Sequence, residues 1–420
     1  MIKPRKIFQQ LLVEKDSKKI SILIGPRQVG KTTLLKEIYK TTGGVFLNID
    51  NLSDYEKASS YQNLLNSLKI QGYKENQKGF FYVFMDEFQK YGDLSIVMKN
   101  IYDQHDNIKI FASGSSSLLI KNNIQESLAG RKRILYIYPL DFEEFLLFKE
   151  RSDLVEQIKN LKTIKKVKEC SKLLPEVFLY WEEFVIFGGY PEVALCSKDQ
   201  KKQALANIFD LYLKKDLVDF LDVQALPSAQ QLVRQLAINN GCLANYSQYG
   251  ARTGLDGKLV KNYIKILQET FLIMVLKPYF INKNKEISKA PKIYFLDNGV
   301  RNYFYNNFNN LNLRNDTGFL FEGFYLGELI KNGEDLENIK YFRSKNGVEV
   351  DLILDRVSEI VPIELKCKDQ IKLRDFQGLL NFMNEYKIKE SYLVNIGEAG
   401  NMTIKDLLIK KILFFENKIK

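Results

Sequence analysis

The residues best placed to do chemistry fall in three stretches of the chain. The first is "ILIGPRQVGKTT", where a mostly apolar run, Ile20 to Ile24, stops at Gly25. From there Gly25, Gly30, Lys31 and Thr32 follow the G-x-x-x-x-G-K-T spacing of a phosphate-binding loop. The loop Gly25, Pro26, Arg27, Gln28, Val29, Gly30, Lys31, Thr32 and Thr33 is expected to hold the phosphates of ATP. Loop amides and the N-terminus of a following helix aim unpaired N–H donors at such an anion. Lys31 would pair with the β- and γ-phosphates, and the Thr32 hydroxyl would coordinate Mg²⁺.

The second stretch is "FFYVFMDEFQ", an apolar run ending in Asp86 and Glu87. A buried parallel strand delivers acids to the C-terminal edge of its sheet in this way. Asp86 would hold the Mg²⁺ shell and Glu87 would polarise the attacking water, so the adjacent second acid points to hydrolysis. Downstream, "IKIFASGSSS" runs into small hydroxyl residues, and Ser113 or Ser115 is placed to touch the γ-phosphate. A strand-to-helix cap is the bland alternative for these serines. Arg131, ahead of the run Ile134 to Tyr138, reads either as an arginine finger for its own or a neighbouring subunit's nucleotide or as a solvated residue of the "RKR" turn.

The third stretch is "VEVDLILDRVSEIVPIELK". Asp351 sits on one strand-like run, and Glu364 and Lys366 sit two apart on the next, so they share a face. Glu322 lies upstream on the helical pattern "GFLFEGFYLGEL". This order of acids and lysine resembles the PD-(D/E)xK nuclease signature. Three gathered carboxylates would need a hard cation to stay ionised, so Glu322, Asp351 and Glu364 are expected ligands of a second Mg²⁺ or a Mn²⁺. Lys366 would then orient a nucleophile or counter charge. In the competing reading Asp351 and Glu364 are ion-pair partners of Lys366 and Arg343 in a fold that cuts nothing.

These residues need elements to position them. The strand-loop-helix rhythm through the first 145 residues calls for an α/β fold, the parallel sheet of a P-loop NTPase with helices on both faces. Residues 146–226 read as a helical lid or connector. Residues 227–300 have the helix spacing of a winged helix-turn-helix, with Asp256 as N-cap of its third helix. On that helix Lys258, Lys261, Asn262 and Lys265 form one basic face suited to duplex DNA, while Leu259, Tyr263, Ile266 and Leu267 fill the other. A solvated lysine face on a protein-packing domain is the alternative. Residues 301–420 would form an α/β nuclease-like domain.

Composition sets the limits. The single histidine, His105, removes Ser-His-Asp and Cys-His catalysis from consideration. Four scattered cysteines without a C-x-x-C pair suggest neither zinc nor disulfides and fit a reducing cytoplasm. With 62 Lys+Arg against 51 Asp+Glu, the charge of +11 admits a nucleic-acid partner. No apolar run is long enough to cross a bilayer, so no membrane partner is expected.

"GPRQVGKTT", "FMDEFQK", "ASGSSSLL", "LAGRKR" and "YPLDFEEFL" together resemble the AAA-type ATPase domain of a widespread prokaryotic group. Members of that group carry a C-terminal domain of unknown function. "FGGYPEVAL", "PKIYFLDNGV" and "GFLFEGFYLGEL" resemble the same group, so the likeness runs along nearly the whole chain. Two readings of function result. In one, ATP hydrolysis gates a C-terminal module that binds or cuts DNA. In the other, a signalling or scaffold ATPase acts on protein partners, with the acid cluster inert. A homo-oligomer is compatible with both.

Overall fold

The computed structural model describes residues 3–115, 127–164, 166–212, 226–282, 284, 286, 289–417 and 419. Contacts divide the chain into two compact units. One holds Met1–Pro139 with Glu269–Phe271, and the other holds Leu140–Gln268 with Leu272–Lys420.

The first unit is built on five strands: β1 (Ile20–Ile24), β2 (Val45–Asn48), β3 (Phe81–Asp86), β4 (Ile108–Gly114) and β5 (Lys132–Tyr136). Their order is β2-β3-β4-β1-β5 and every neighbouring pair is parallel. Both faces are covered. On one, Ile20, Ile22, Ile24, Val83, Met85, Ile108 and Ile110 share a core with Leu64 and Leu68 of helix Tyr61–Ile70 and with Met98 and Ile101 of helix Leu94–Gln104. On the other, the rings of Phe46, Phe84 and Phe111 line up in stacked pairs. Tyr39 of helix Lys31–Thr42 meets Phe46 and Phe84 edge-on. Burial on both sides explains why these strands read as continuous apolar runs instead of alternating ones.

The second unit carries an eight-stranded mixed sheet of order β12-β13-β11-β10-β9-β8-β6-β7. Its strands are β6 (Ile273–Pro278), β7 (Lys292–Phe295), β8 (Ile339–Arg343), β9 (Glu349–Asp355), β10 (Ile360–Lys366), β11 (Glu390–Asn395), β12 (Gly400–Ile404) and β13 (Leu407–Leu413). The run β8-β9-β10 is antiparallel, and β10 pairs parallel with β11. Helix Gln377–Tyr386 buries Leu379, Phe382 and Met383 in a core with Phe342, Val350, Ile353 and Leu393.

Four successive domains were expected past and including the first, and the contacts group the segments differently. Helices Leu226–Ile238, Tyr246–Thr253 and Gly257–Glu269 are followed by the antiparallel pair β6-β7. That pair does not end a separate module: β6 also bonds in parallel to β8, through Lys277 opposite Lys340 and Pro278 opposite Tyr341. Segments 227–300 and 301–420 thus share one sheet. At the other boundary, Asp141 and Glu144 form a capping box on helix Phe142–Phe148, whose first amide donates to the Glu328 carboxylate of the second unit. "YPLDFEEFL" therefore belongs mostly to the second unit.

The "FGGYP" and "LDNGV" strings interlock there. The Gly189 amide donates to Asp297 Oδ2 at 2.7 Å, and Asn302 Nδ2 donates to the Ile186 carbonyl at 2.8 Å. Burial raises the Asp297 pKa, with the Lys331 charge and three backbone amides opposing that rise. These motifs do structural work. Among the described residues no helix is long and apolar enough to cross a membrane.

Candidate nucleotide site and carboxylate-lysine cluster

Strand order makes the first site. β1 ends in the glycine loop, β3 ends in the acids, and β4 lies between them, so three C-terminal strand ends meet at one edge. The loop turns through Gln28 at φ 61° and Gly30 at φ 97°, and helix Lys31–Thr42 begins immediately after. At Gly25 a Cβ would lie 1.9 Å from the Ile137 carbonyl oxygen, so the loop start admits no side chain. Pro26 and Val29 are buried, Arg27 is half-buried, and Gln28 and Thr33 are exposed.

Lys31, 5% exposed, donates to the carbonyls of Gly25 at 2.9 Å and Pro26 at 2.7 Å, which holds its ammonium inside the loop. Thr32 Oγ1 donates to Asp86 Oδ2 at 2.7 Å, and the Ser113 hydroxyl donates to the other oxygen of Asp86. A hydroxyl and a carboxylate in contact beside a phosphate loop are the oxygen donors that Mg²⁺ selects, so these residues fit that ion. Glu87 follows in the left-handed region at φ 56°. Its Oε2 accepts from Gln89 Nε2 at 2.7 Å, and the same nitrogen donates to Ser115 Oγ at 3.1 Å. The expected residues Lys31, Thr32, Asp86, Glu87, Ser113 and Ser115 are thus brought together, with the two serines in different partnerships.

Arg131 is not brought there. It stands before β5, at the opposite edge of the parallel sheet, where its carbonyl accepts from the Ile20 amide at the start of β1. Its guanidinium makes a bidentate pair with Asp103, at 2.6 and 3.0 Å. An action on its own chain's nucleotide is therefore corrected: the length of β1, five residues at roughly 3.3 Å each, separates it from the loop.

Sequence reasoning missed Arg5. Its guanidinium donates to the Val29 carbonyl within the loop and to the Tyr138 carbonyl past β5, both at 2.8 Å. It also missed Gln89, although the "DEFQ" string held the signal: a long amide two residues past an acid.

In the second unit, Lys258, Lys261, Asn262 and Lys265 are all exposed on helix Gly257–Glu269. Val260, Tyr263, Ile264, Ile266 and Leu267 are buried beneath. Leu259, expected among the buried residues, is 41% exposed. The Asp256 carboxylate accepts from the amides of Lys258 and Leu259 at 2.8 Å, as an N-cap does.

The carboxylates of the third stretch are held by lysines. Lys366 pairs with Glu364 and lies 3.7 Å from Asp351 Oδ2, while Asp351 Oδ2 also accepts from the Leu365 amide at 2.8 Å. Glu322, on helix Thr317–Lys331, accepts from Tyr294 Oη at 2.6 Å and lies 3.9 Å from Lys292 Nζ. Lys292 pairs in turn with Glu349, which Arg343 approaches at 3.5 Å. Burial, and then the Asp351 charge, pushes both Glu322 and Glu364 above the usual carboxylate range. Burial works against the Lys366 ammonium, but Asp351 and Glu364 outweigh it and raise its pKa. Glu364 Oε2 is buried with no hydrogen-bond partner among the described residues.

Among the described residues no group of three or more His, Cys, Asp or Glu side chains could hold a metal ion. Glu322, Asp351 and Glu364 therefore do not form the expected three-ligand set. Two ammonium groups already supply the positive charge that a cation was invoked to supply. Lys292 and Tyr294, which complete this cluster, were missed because they lie on β7, a strand that only the sheet's long-range pairing brings near.

The parallel sheet, the glycine loop and the acid-bearing strand give the first unit the fold of a P-loop nucleotide-binding domain. Comparison with known families agrees: residues 17–146 match the family described as "AAA domain". Residues 179–313 match a domain of unknown function, DUF8612, and residues 317–413 match a second, DUF4143. An uncharacterized protein of Methanocaldococcus jannaschii is 28% identical over 382 residues, which cover 88% of this chain and 80% of the relative. One of Haemophilus influenzae is 23% identical over 404 residues, 92% of each chain. Among solved structures, a Walker-type ATPase of Pyrococcus abyssi is 15% identical at a TM-score of 0.48. The match covers 72% of this chain and 96% of that one.

Proposed function

We propose that this chain hydrolyses ATP and that its nucleotide state gates a DNA-binding C-terminal module. The observation that carries the hydrolytic half is the contact of Thr32 and Ser113 with Asp86, next to Glu87 and a loop closed around Lys31. Lys31 binds the β- and γ-phosphates, and the loop amides from Arg27 to Thr33 orient them. Glu87 takes the proton of the attacking water, and Ser113 or Ser115 contacts the γ-phosphate. Thr32 and Asp86 would hold a Mg²⁺ ion, which would supply countercharge to the phosphates. Arg131 is left as a residue that could act only on a neighbouring subunit.

The DNA half rests on the exposed basic face Lys258, Lys261, Asn262 and Lys265 over a buried apolar one. The order helix, three antiparallel strands, helix, parallel strand from Thr317 to Asn395, with Asp351, Glu364 and Lys366 on adjacent strands, supports a nuclease-like fold for the last third. The lysine-held carboxylates favour a second reading for its chemistry, a domain that keeps the shape without cutting and acts by binding DNA or a protein partner.

The test is duplex affinity, read by fluorescence anisotropy, for the Glu87→Gln protein with ATP and with ADP. Gating requires the two affinities to differ several-fold, and linkage requires DNA to change nucleotide affinity by the same factor. Equal affinities in both states would remove gating from the proposal.

A further inference from the structure

Two side-chain chains end on the same short run at the C-terminal end of the middle strand of the first unit's sheet, Ser113 within β4 and Ser115 just past it. Thr32 reaches Asp86, and Asp86 reaches Ser113. Glu87 reaches Gln89, and Gln89 reaches Ser115. Ser113 is fully buried and Ser115 is 3% exposed, so neither hydroxyl is a loose surface group.

We infer that Gln89 is a positioning residue for the hydrolytic step: its amide holds the Glu87 carboxylate in place and ties it to Ser115. The inference rests on the reading of Glu87 as the residue that takes the proton of the attacking water. Three features support it. Glu87 leaves β3 in the left-handed region, a conformation that L residues other than Asn and Asp rarely take, so its side chain is aimed by the turn and not by the strand. The turn itself is anchored by Phe88, 3% exposed, which returns Gln89 to the side of the acid.

The amide orientation is the third feature. A side-chain amide has two donor hydrogens, and Nε2 spends one on Glu87 and one on Ser115. Turning the amide over would set Oε1 against a carboxylate oxygen, two acceptors face to face. The orientation is therefore fixed by Glu87. Gln89 Oε1 is buried with no hydrogen-bond partner among the described residues, so among these residues the bonds lost with the amide are those to Glu87 and Ser115. One oxygen of Glu87 is thereby spent on orientation, and Oε1 is the oxygen that receives the proton. Because Ser115 sits two residues beyond Ser113, a change at the γ-phosphate side of that run reaches Glu87 through a single side chain.

Steady-state ATP turnover of the full chain tests this, with Gln89→Ala and Gln89→Met, the latter keeping the length and losing the amide. Both are expected to lower kcat about tenfold, the worth of one hydrogen bond to a charged group, with KM within twofold of wild type. A circular dichroism melt establishes that each variant is folded, and Gln89→Met serves if Gln89→Ala is not. Wild-type kcat in Gln89→Met, or a changed KM with kcat intact, would overturn the inference. Glu87→Gln separates the two levels. If it still turns over, the reading of Glu87 fails; if it is dead while the Gln89 variants are normal, only the role of Gln89 fails.

Discussion

Arg5 gives a sharp prediction because it acts on the loop from outside any motif. Its guanidinium holds the Val29 carbonyl and the Tyr138 carbonyl, both at 2.8 Å, so it fixes the loop against the segment that follows β5. A hydrogen bond to a charged group contributes about 1.5 kcal/mol or more, so two give roughly 3 kcal/mol. The side chain is half-buried, and solvent screening reduces that to about 1.5 kcal/mol. What is lost in Arg5→Ala is the prior ordering of the loop, so the cost falls on nucleotide binding, about tenfold in Kd. Arg5→Lys, a point charge without the fork, keeps one carbonyl at most and should lose about threefold. Isothermal titration with ATP at fixed Mg²⁺ reads both. A Kd within twofold of wild type for Arg5→Ala would show that the loop holds its shape without the clip and refute the reasoning.

Other consequences are as direct. In Lys366→Met the buried Glu364 and Asp351 lose their ammonium, and breaking such a pair costs about 3–5 kcal/mol while the acid stays ionised. Glu364 already has a raised pKa, so its carboxyl form favours folding below the usual carboxylate range and that benefit is lost as pH rises. Without Lys366 the pKa rises further, so the deficit against wild type in urea melts should stay level at lower pH and grow as pH climbs past about 8; a deficit independent of pH through that range would refute the pairing. On the basic helix, replacing Lys258, Lys261 and Lys265 together by Gln should weaken duplex binding at all sequences. The slope of log affinity against log salt should drop by up to about 3, near 0.9 per lost phosphate contact. An unchanged slope would take DNA off that face.

The meeting of the loop, the acids and the serines at one sheet edge was legible because its parts are local. The loop spacing, the acids closing an apolar run and the serines closing another are each a strand end, and parallel strands put such ends on one edge. The same rule could have placed Arg131, which precedes its strand and so belongs to the far edge. Arg5 and Gln89 left weaker marks. Arg5 meets Val29 across 24 residues with no pattern between them, and Gln89 is read only once the left-handed turn at Glu87 is known.

In the second unit, period-two alternation correctly set Glu364 and Lys366 on one face, where they pair. It could not show that β6 joins β8, since strand pairing is a contact between distant residues, and so the edge of the expected winged-helix segment was misplaced. It could not count charges either. The acids alone suggested a cation, and only the fold supplies Lys292 beside Glu322 and Glu349.

The central claim, that ATP hydrolysis at Glu87 is coupled to a DNA-facing module, is tested most directly by steady-state phosphate release with and without duplex DNA. The assay is run at low and moderate salt, with Glu87→Gln as the blank. Coupling predicts turnover that is abolished in the blank, rises with duplex and loses that rise as salt increases. Turnover that is indifferent to duplex at every salt concentration would contradict it and leave an ATPase whose partner is another protein.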